Sequence, residues 1–290
     1  MKKSNNPDTM QFGDWKISII SDGTFRLDGG AMFGVVPKAL WQKLEPPDEI
    51  NRIHMGLNCL LIEHKDVVAL IDTGVGDKFD AKFGRIYGIE RECTLLDNLR
   101  AQGIQPEQVT HVIMSHMHFD HIGWNTHYAE NGELAITFPN ATFFAQRGEW
   151  EVAQSPDPRS RASYVKENWT PLLQTEQLEL IDGNQEVIPG VQYHVTGGHT
   201  KHHAILKITT PERILGFMAD LVPTPSHLKT SWVMGYDLYP HESMKVKPQV
   251  LQQAFEENWL LIFEHSAHAR TGTLNIGPKG WELETGDMLK

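Results

Sequence analysis

The chain has 290 residues, 40% of them hydrophobic, with 37 acidic against 26 basic side chains and two cysteines. That length can bury a substantial core in a single domain spanning residues 1–290, and the net charge of −11 excludes the basic footprint of a nonspecific nucleic-acid binder. No segment reaches the roughly eighteen uninterrupted apolar residues of a membrane span, and the polar residues 1–7 do not lead into the apolar core of a secretory signal. The expectation is a cytoplasmic protein whose partner is a small molecule, with neither nucleic acid nor membrane involved. Cys59 and Cys93 stand far apart and outside any Cys-x-x-Cys pattern, so no disulfide framework is implied.

In chain order, Trp15 to Ile20 alternates as a strand does, and Ser21-Asp22-Gly23 supplies turn chemistry for a hairpin. The stretch from Asp28 to Pro37 is glycine-rich and apolar without a helical or strand period. It reads as a loop with exposed hydrophobes, which is either a buried connector or a place where Met32 and Phe33 wall an apolar pocket. Residues 58–62 and 67–71 form a second expected hairpin. It ends at Asp72-Thr73-Gly74, where Asp72 is either a turn former or a carboxylate that supports a metal ligand. Leu95, Leu96 and Leu99 at helical offsets predict a helix over about 92–102 that stops near Gly103, and 109–114 predicts a strand.

That strand delivers Ser115-His116-Met117-His118-Phe119-Asp120-His121. Three imidazoles and a carboxylate within six residues carry a heavy desolvation cost if buried without partners, and a metal ion removes it. On one regular helix the four would splay around the axis, so a loop at a strand end is the expected carrier.

Further on, Arg147 to Gln154 predicts a helix, broken by Ser155-Pro156-Asp157-Pro158, and residues 155–171 read as a polar surface excursion or lid. Three later apolar runs each hand over a ligand type as they end: Val191–Val195 before Gly198-His199-Thr200, the run from Arg213 to Ala219 before Asp220, and the run from Leu260 to Glu264 before His265. A helix is expected from Pro248 to Asn258. Interleaved strands and helices favour layered α/β architecture with the ligands gathered at one sheet edge.

Seven ligands suit two metals better than one, since a catalytic zinc takes about three protein ligands plus water. His116, His118 and His199 serve one cation, Asp120, His121 and His265 a second, and Asp220 lies between them. Two divalent transition metals overcompensate the two carboxylates, which makes a bridging hydroxide the expected nucleophile. Zinc is the first expectation, with Mn, Co or Fe as alternatives. His202 and His203 would orient the loop after His199, and His227 is a candidate substrate contact.

The pattern His116-x-His118-x-Asp120-His121, with Gly198-His199-Thr200, Asp220, His265 and the strand-end Asp72-Thr73-Gly74, resembles the metallo-β-lactamase superfamily. That resemblance implies an αββα sandwich, two mixed β-sheets flanked by helices, and it favours the supporting role for Asp72. The segments from Asp28 to Lys38, Glu167-Asn168-Trp169, Asp220 to Thr224 and Tyr236 to Pro240 are similar to YtnP-type lactonases, which degrade N-acyl homoserine lactone signals (quorum quenching). Better-known lactonases place a tyrosine three residues after the bridging aspartate. Pro223 stands there in this chain, and Tyr236 is the candidate substitute.

The resulting expectation is a dinuclear metal-dependent hydrolase that opens a lactone ring by attack of the bridging hydroxide, Asp120 shuttling the proton to the leaving alkoxide. Met32, Phe33, Trp124 and Trp232 would wall the acyl chain. Phosphotriester or thioester hydrolysis by the same centre is the alternative, and the apolar 29–37 segment is a candidate homodimer surface.

Overall fold

A two-residue turn with Gly13 at φ +60° folds strand β1 (Asp8–Phe12) back on β2 (Trp15–Asp28), pairing Phe12 with Trp15. The computed structural model describes residues 8–278 and 280–285, so the polar residues 1–7 considered above lie outside the described residues. The chain divides into two compact units. The first comprises the chain up to Gly23, Leu57–Ile86 and Glu90–Asp182; the second comprises Thr24–Gly56, Tyr87–Ile89 and the chain from Gly183 on.

The first unit is built on β1, β2, β3 (Arg52–His64), β4 (Val67–Ile71), β5 (His111–Ile113), β8 (Thr142–Gln146) and β9 (Leu178–Ile181), in that order across one sheet. A small separate hairpin pairs β6 (Thr126–Tyr128) with β7 (Leu134–Ile136). β3 and β4 form the expected hairpin. β4, β5, β8 and β9 run parallel, so the carboxyl ends of β4 and β5 emerge side by side. Leu61, Leu70, Val112, Phe143 and Leu99 belong to the buried core beneath them. The helix Leu95–Ala101 starts where expected because Thr94 and Asp97 form a reciprocal capping box. The helix Arg147–Gln154 matches its expected bounds and packs on β8 and β9.

One expectation in this unit fails and another is met in part. Ser21-Asp22-Gly23 is not a turn, because β2 runs straight through it. Gly23, at φ +101°, is there for close approach: a Cβ would lie 2.5 Å from that of Arg91. Residues 155–171 are in part the expected surface excursion, with Ser155, Asp157 to Arg159, Arg161, Ala162, Lys166 and Glu167 exposed. They wind through short 3₁₀ turns at Arg161–Ser163 and Lys166–Asn168 and bury Tyr164 and Trp169 in the core.

The second unit carries β10 (Glu186–Ile188), β11 (Val191–Val195), β12 (Ala204–Thr209), β13 (Ile214–Phe217), β14 (Leu260–Ile262), β15 (Thr271–Gly277) and β16 (Gly280–Glu284), in sequence order across the sheet. β13 and β14 are parallel while their outer neighbours β12 and β15 are antiparallel to them. The long crossover between β13 and β14 contains the helix Pro240–Glu256, which packs on β15 and buries Val250, Leu251 and Ala254. It begins eight residues before the expected start, because Pro240 is the helix-initiating proline and Pro248 lies inside. The expected loop after Asp28 contains a short helix, Gly29–Phe33, capped by the Asp28 carboxylate, which accepts the Ala31 N–H at 2.9 Å. Two large mixed sheets flanked by helices are therefore present, as expected. Among the described residues no helix is long and apolar enough to cross a membrane.

Candidate metal centre

Parallel pairing of Leu70 with Val112 and Ile71 with Ile113 sets Asp72 beside Ser115 as the two strands end. Asp72 is fully buried. One carboxylate oxygen accepts the Ser115 N–H at 2.7 Å, and the other accepts the Ser115 hydroxyl at 2.5 Å and the Nδ1–H of His121 at 3.0 Å. The bond from Nδ1 leaves Nε2 of His121 as the ring's donor atom, the usual way in which an outer carboxylate orients a metal-binding imidazole. Asp72 sits at φ +55°, a left-handed conformation that aspartate tolerates better than most residues. It thus turns the chain and also holds the His121 ring.

His116, His118, Asp120 and His121 are all buried. The ring centroid of His116 lies 4.5 Å from that of His118 and 3.9 Å from that of His121, so the loop gathers the three imidazoles as the spacing implied. Tyr164 packs edge-on to His118 at 5.0 Å. The Glu149 carboxylate, also buried, accepts the Met117 N–H at 3.4 Å from beneath the loop.

In the second unit the parallel ends of β13 and β14 do the same for Asp220 and His265. The two oxygens of Asp220 face different rings: Oδ2 lies 3.0 Å from Nε2 of His199, and Oδ1 lies 3.1 Å from Nε2 of His265. Each ring is fixed from behind. Nδ1–H of His199 donates to Asp237 at 3.1 Å, and Nδ1–H of His265 donates to the Gly56 carbonyl at 3.0 Å. His203 is no ligand type here. Its Nε2 accepts the Asp220 N–H at 3.1 Å and anchors the backbone there. Ala219, immediately before Asp220, is held at φ +41°, a strained conformation for a residue with a Cβ.

These donors fit metal ions. Burial disfavours a charged ring at His199, but Asp220 and then Asp237 outweigh it and lift the pKa to about 10. Two carboxylates thus call for positive charge at that ring, a demand that a divalent cation meets. Adjacent donor atoms about 3 Å apart also suit an ion bound at about 2.0–2.1 Å to each.

The expected substrate contacts fare differently. Phe33 is wholly enclosed and Met32 is 1% exposed, so neither walls an open pocket. Phe33 is sandwiched by Trp41 at 5.2 Å and His227 at 4.6 Å, with Trp232 edge-on at 5.5 Å. His227 is also internal: Nε2–H donates to the Met32 carbonyl at 2.9 Å and Nδ1 accepts the Thr224 hydroxyl at 2.9 Å. Burial pushes its pKa down to about 4. Trp232 is buried, whereas Tyr236 is 38% exposed. Trp124 is buried and gives its indole N–H to Asp22 at 2.8 Å.

Asp22 is a residue that sequence reasoning missed. Its fully buried carboxylate accepts the amides of Val75, Gly76 and Leu95 at 3.0, 3.1 and 2.8 Å and pairs with Arg91 at 3.0 Å. Burial raises its pKa, with Arg91 the chief opposing influence. It ties the turn after Asp72 to the start of a helix.

The family model for the metallo-β-lactamase superfamily matches residues 55–265. The chain belongs to this superfamily. Within it, the N-acyl homoserine lactonase of Bacillus cereus is 32% identical over 170 residues, which is 55% of this chain and 61% of that relative. The N-acyl homoserine lactonase AttM of Rhizobium johnstonii is 29% identical over 177 residues, 57% of this chain and 59% of AttM. The match thus spans about three fifths of these relatives. A probable metal-dependent hydrolase from Staphylococcus aureus superposes with a TM-score of 0.85 at 30% identity, covering 91% of this chain and 94% of the other. AidC, a dizinc quorum-quenching lactonase, has the same superfamily fold, with a TM-score of 0.74 at 21% identity over 97% and 98% of the two chains. The expected fold and the expected kinship with lactonases are both met.

Proposed function

We propose that the chain is a metal-dependent hydrolase that opens the ring of a lactone, with N-acyl homoserine lactones as the substrate class and residues 1–290 acting as one hydrolase domain. His116, His118 and His199 would hold one divalent transition metal, Asp120, His121 and His265 a second, and Asp220 would bridge them. The observation that carries this reading is Asp220, whose two oxygens each oppose Nε2 of a different buried histidine. Kinship with N-acyl homoserine lactonases supports the substrate class.

When bound, two such ions, zinc first among them, supply Lewis acidity towards the lactone carbonyl and lower the pKa of water to about 7. The chain's own residues orient and shuttle. Asp72 and Asp237 fix the His121 and His199 rings through their Nδ1–H bonds. Asp120 takes a proton from the attacking water and returns it to the ring oxygen as the acyl C–O bond breaks, so the product is the open hydroxy acid. Tyr236, exposed where the other aromatic candidates are buried, remains the aromatic candidate for a substrate contact.

Elemental analysis of protein purified without chelator should find about two transition metals per chain. A panel of homoserine lactones of graded acyl length, a phosphotriester and a thioester, all followed by acid release, should show lactones turned over fastest. A metal-free protein sinks the site assignment, and faster turnover of the triester or thioester sinks the substrate class.

A further inference from the structure

Among the described residues, Lys247 is the one lysine in the set of largest fully enclosed side chains, at 1% exposure within the helix Pro240–Glu256. An ammonium group withdrawn from water is costly unless its protons are all placed, and an apolar residue would pack the same helix face with less penalty. All three protons are placed, and all on one loop. Nζ donates to the carbonyls of His227, Lys229 and Trp232 at 3.0, 3.3 and 2.7 Å. Lysine offers three donors and no acceptor, which suits three backbone carbonyls that have no strand to pair with. Burial lowers its pKa to about 8, and Asp237 is the charge that favours the protonated form.

The loop so held is the one that ends at Asp237. Beyond it, the Leu238 N–H donates to the His199 carbonyl at 3.0 Å and the Tyr239 N–H to that of Gly198 at 2.8 Å. The helix that carries Lys247 also closes on the far side of the same turn: a Cβ on Gly198 would lie 2.4 Å from the Ser243 hydroxyl. The loop is pinned near both ends as well, since His227 bonds the Met32 carbonyl and the Gly235 N–H, two residues before Asp237, donates to that of Ala31 at 2.7 Å.

We propose that Lys247 is a positioning residue: by gathering the carbonyls of residues 227, 229 and 232 onto the helix, it sets the loop that presents Asp237 to Nδ1 of His199. The role of His199 as a metal ligand rests on the function proposed above; the hold of Lys247 on Asp237 does not.

The test compares wild-type protein with Lys247→Met, which keeps the length and loses the donors, and with Asp237→Asn. Lys247→Gln, which retains two donors, replaces the methionine variant if that one does not fold. Hydrogen exchange at Leu238 and Tyr239 should quicken at least about tenfold in the lysine variant while amides of β12 and β13 stay as protected as before. The imidazole ¹⁵N shifts of His199 in metal-free protein should move in the same direction as in Asp237→Asn. Cobalt(II) affinity should fall by about 10–100-fold, the usual loss when the group behind a ligating imidazole is disturbed. Unchanged exchange, or an unchanged His199 ring signal, overturns the proposal. If wild-type protein binds no cobalt, the functional reading falls, and the exchange and ring signals still decide the role of Lys247.

Discussion

Asp237 stands 3.1 Å from Nδ1 of His199, while Nε2 of the same ring stands 3.0 Å from Asp220. One imidazole is thus gripped at each nitrogen by a carboxylate, and the two grips do different work. The outer one fixes the ring and its tautomer; the inner one, on the function proposed above, would share the cation the ring binds. Asp237→Asn keeps size and polarity but removes the charge. We expect its metal affinity to drop by about 10–100-fold, measured by competition with a chromogenic chelator.

Asp120→Asn addresses the chemistry. If Asp120 moves the proton, lactone turnover at saturating metal should fall by about 10²–10⁴-fold. Metal content must be measured alongside, because Asp120 is also assigned as a ligand. Loss of turnover with full metal occupancy isolates the proton role, and retained turnover removes it.

The acid limb of stability should carry the mark of His227. Its ring is held neutral, with a pKa lowered to about 4 from an ordinary 6.5, so between those values the unfolded chain binds the proton and the folded one does not. Stability is therefore complete above about pH 6.5, declines as pH falls towards 4, and loses roughly 3 kcal/mol over that window. Urea titrations at stepped pH read this directly. His227→Gln, which retains a donor for the Met32 carbonyl, should flatten the slope.

Asp22→Ala removes one side chain and strands several partners. The amides of Val75, Gly76 and Leu95, the Trp124 indole and the Arg91 guanidinium all lose their acceptor. Breaking a buried pair of this kind costs about 3–5 kcal/mol, visible as a lower urea midpoint with an unchanged slope.

Much of the centre could be read from the sequence because its ligands sit at strand ends, where an apolar run stops and a His or Asp follows. His116 to His121, Asp220 and His265 all obey that rule, and Asp72 carries its own Asp-Thr-Gly signature. Their partners do not obey it. Asp237 meets a ring 38 positions earlier in the chain, and no local period links the two. Asp22 looked like a turn former because serine, aspartate and glycine favour turns, yet the strand Trp15–Asp28 runs through all three. Met32 and Phe33 looked exposed because a glycine-rich stretch reads as loop; the capped turn of helix at Gly29–Phe33 instead rotates both side chains inward. The expected start of the late helix is Pro248, and the backbone places Pro240 in its first turn instead.

The partners of Asp22 lie 53 to 102 positions away along the chain. Contacts of such span form only after the intervening chain has closed large loops, a cost in entropy that delays them relative to local structure. The knot around this carboxylate therefore belongs to the last stage of assembly. Stopped-flow measurements on Asp22→Ala should find refolding almost as fast as in the parent and unfolding accelerated by most of the lost free energy. For this protein, Asp22 would then govern how long the folded state lasts rather than how quickly it is reached.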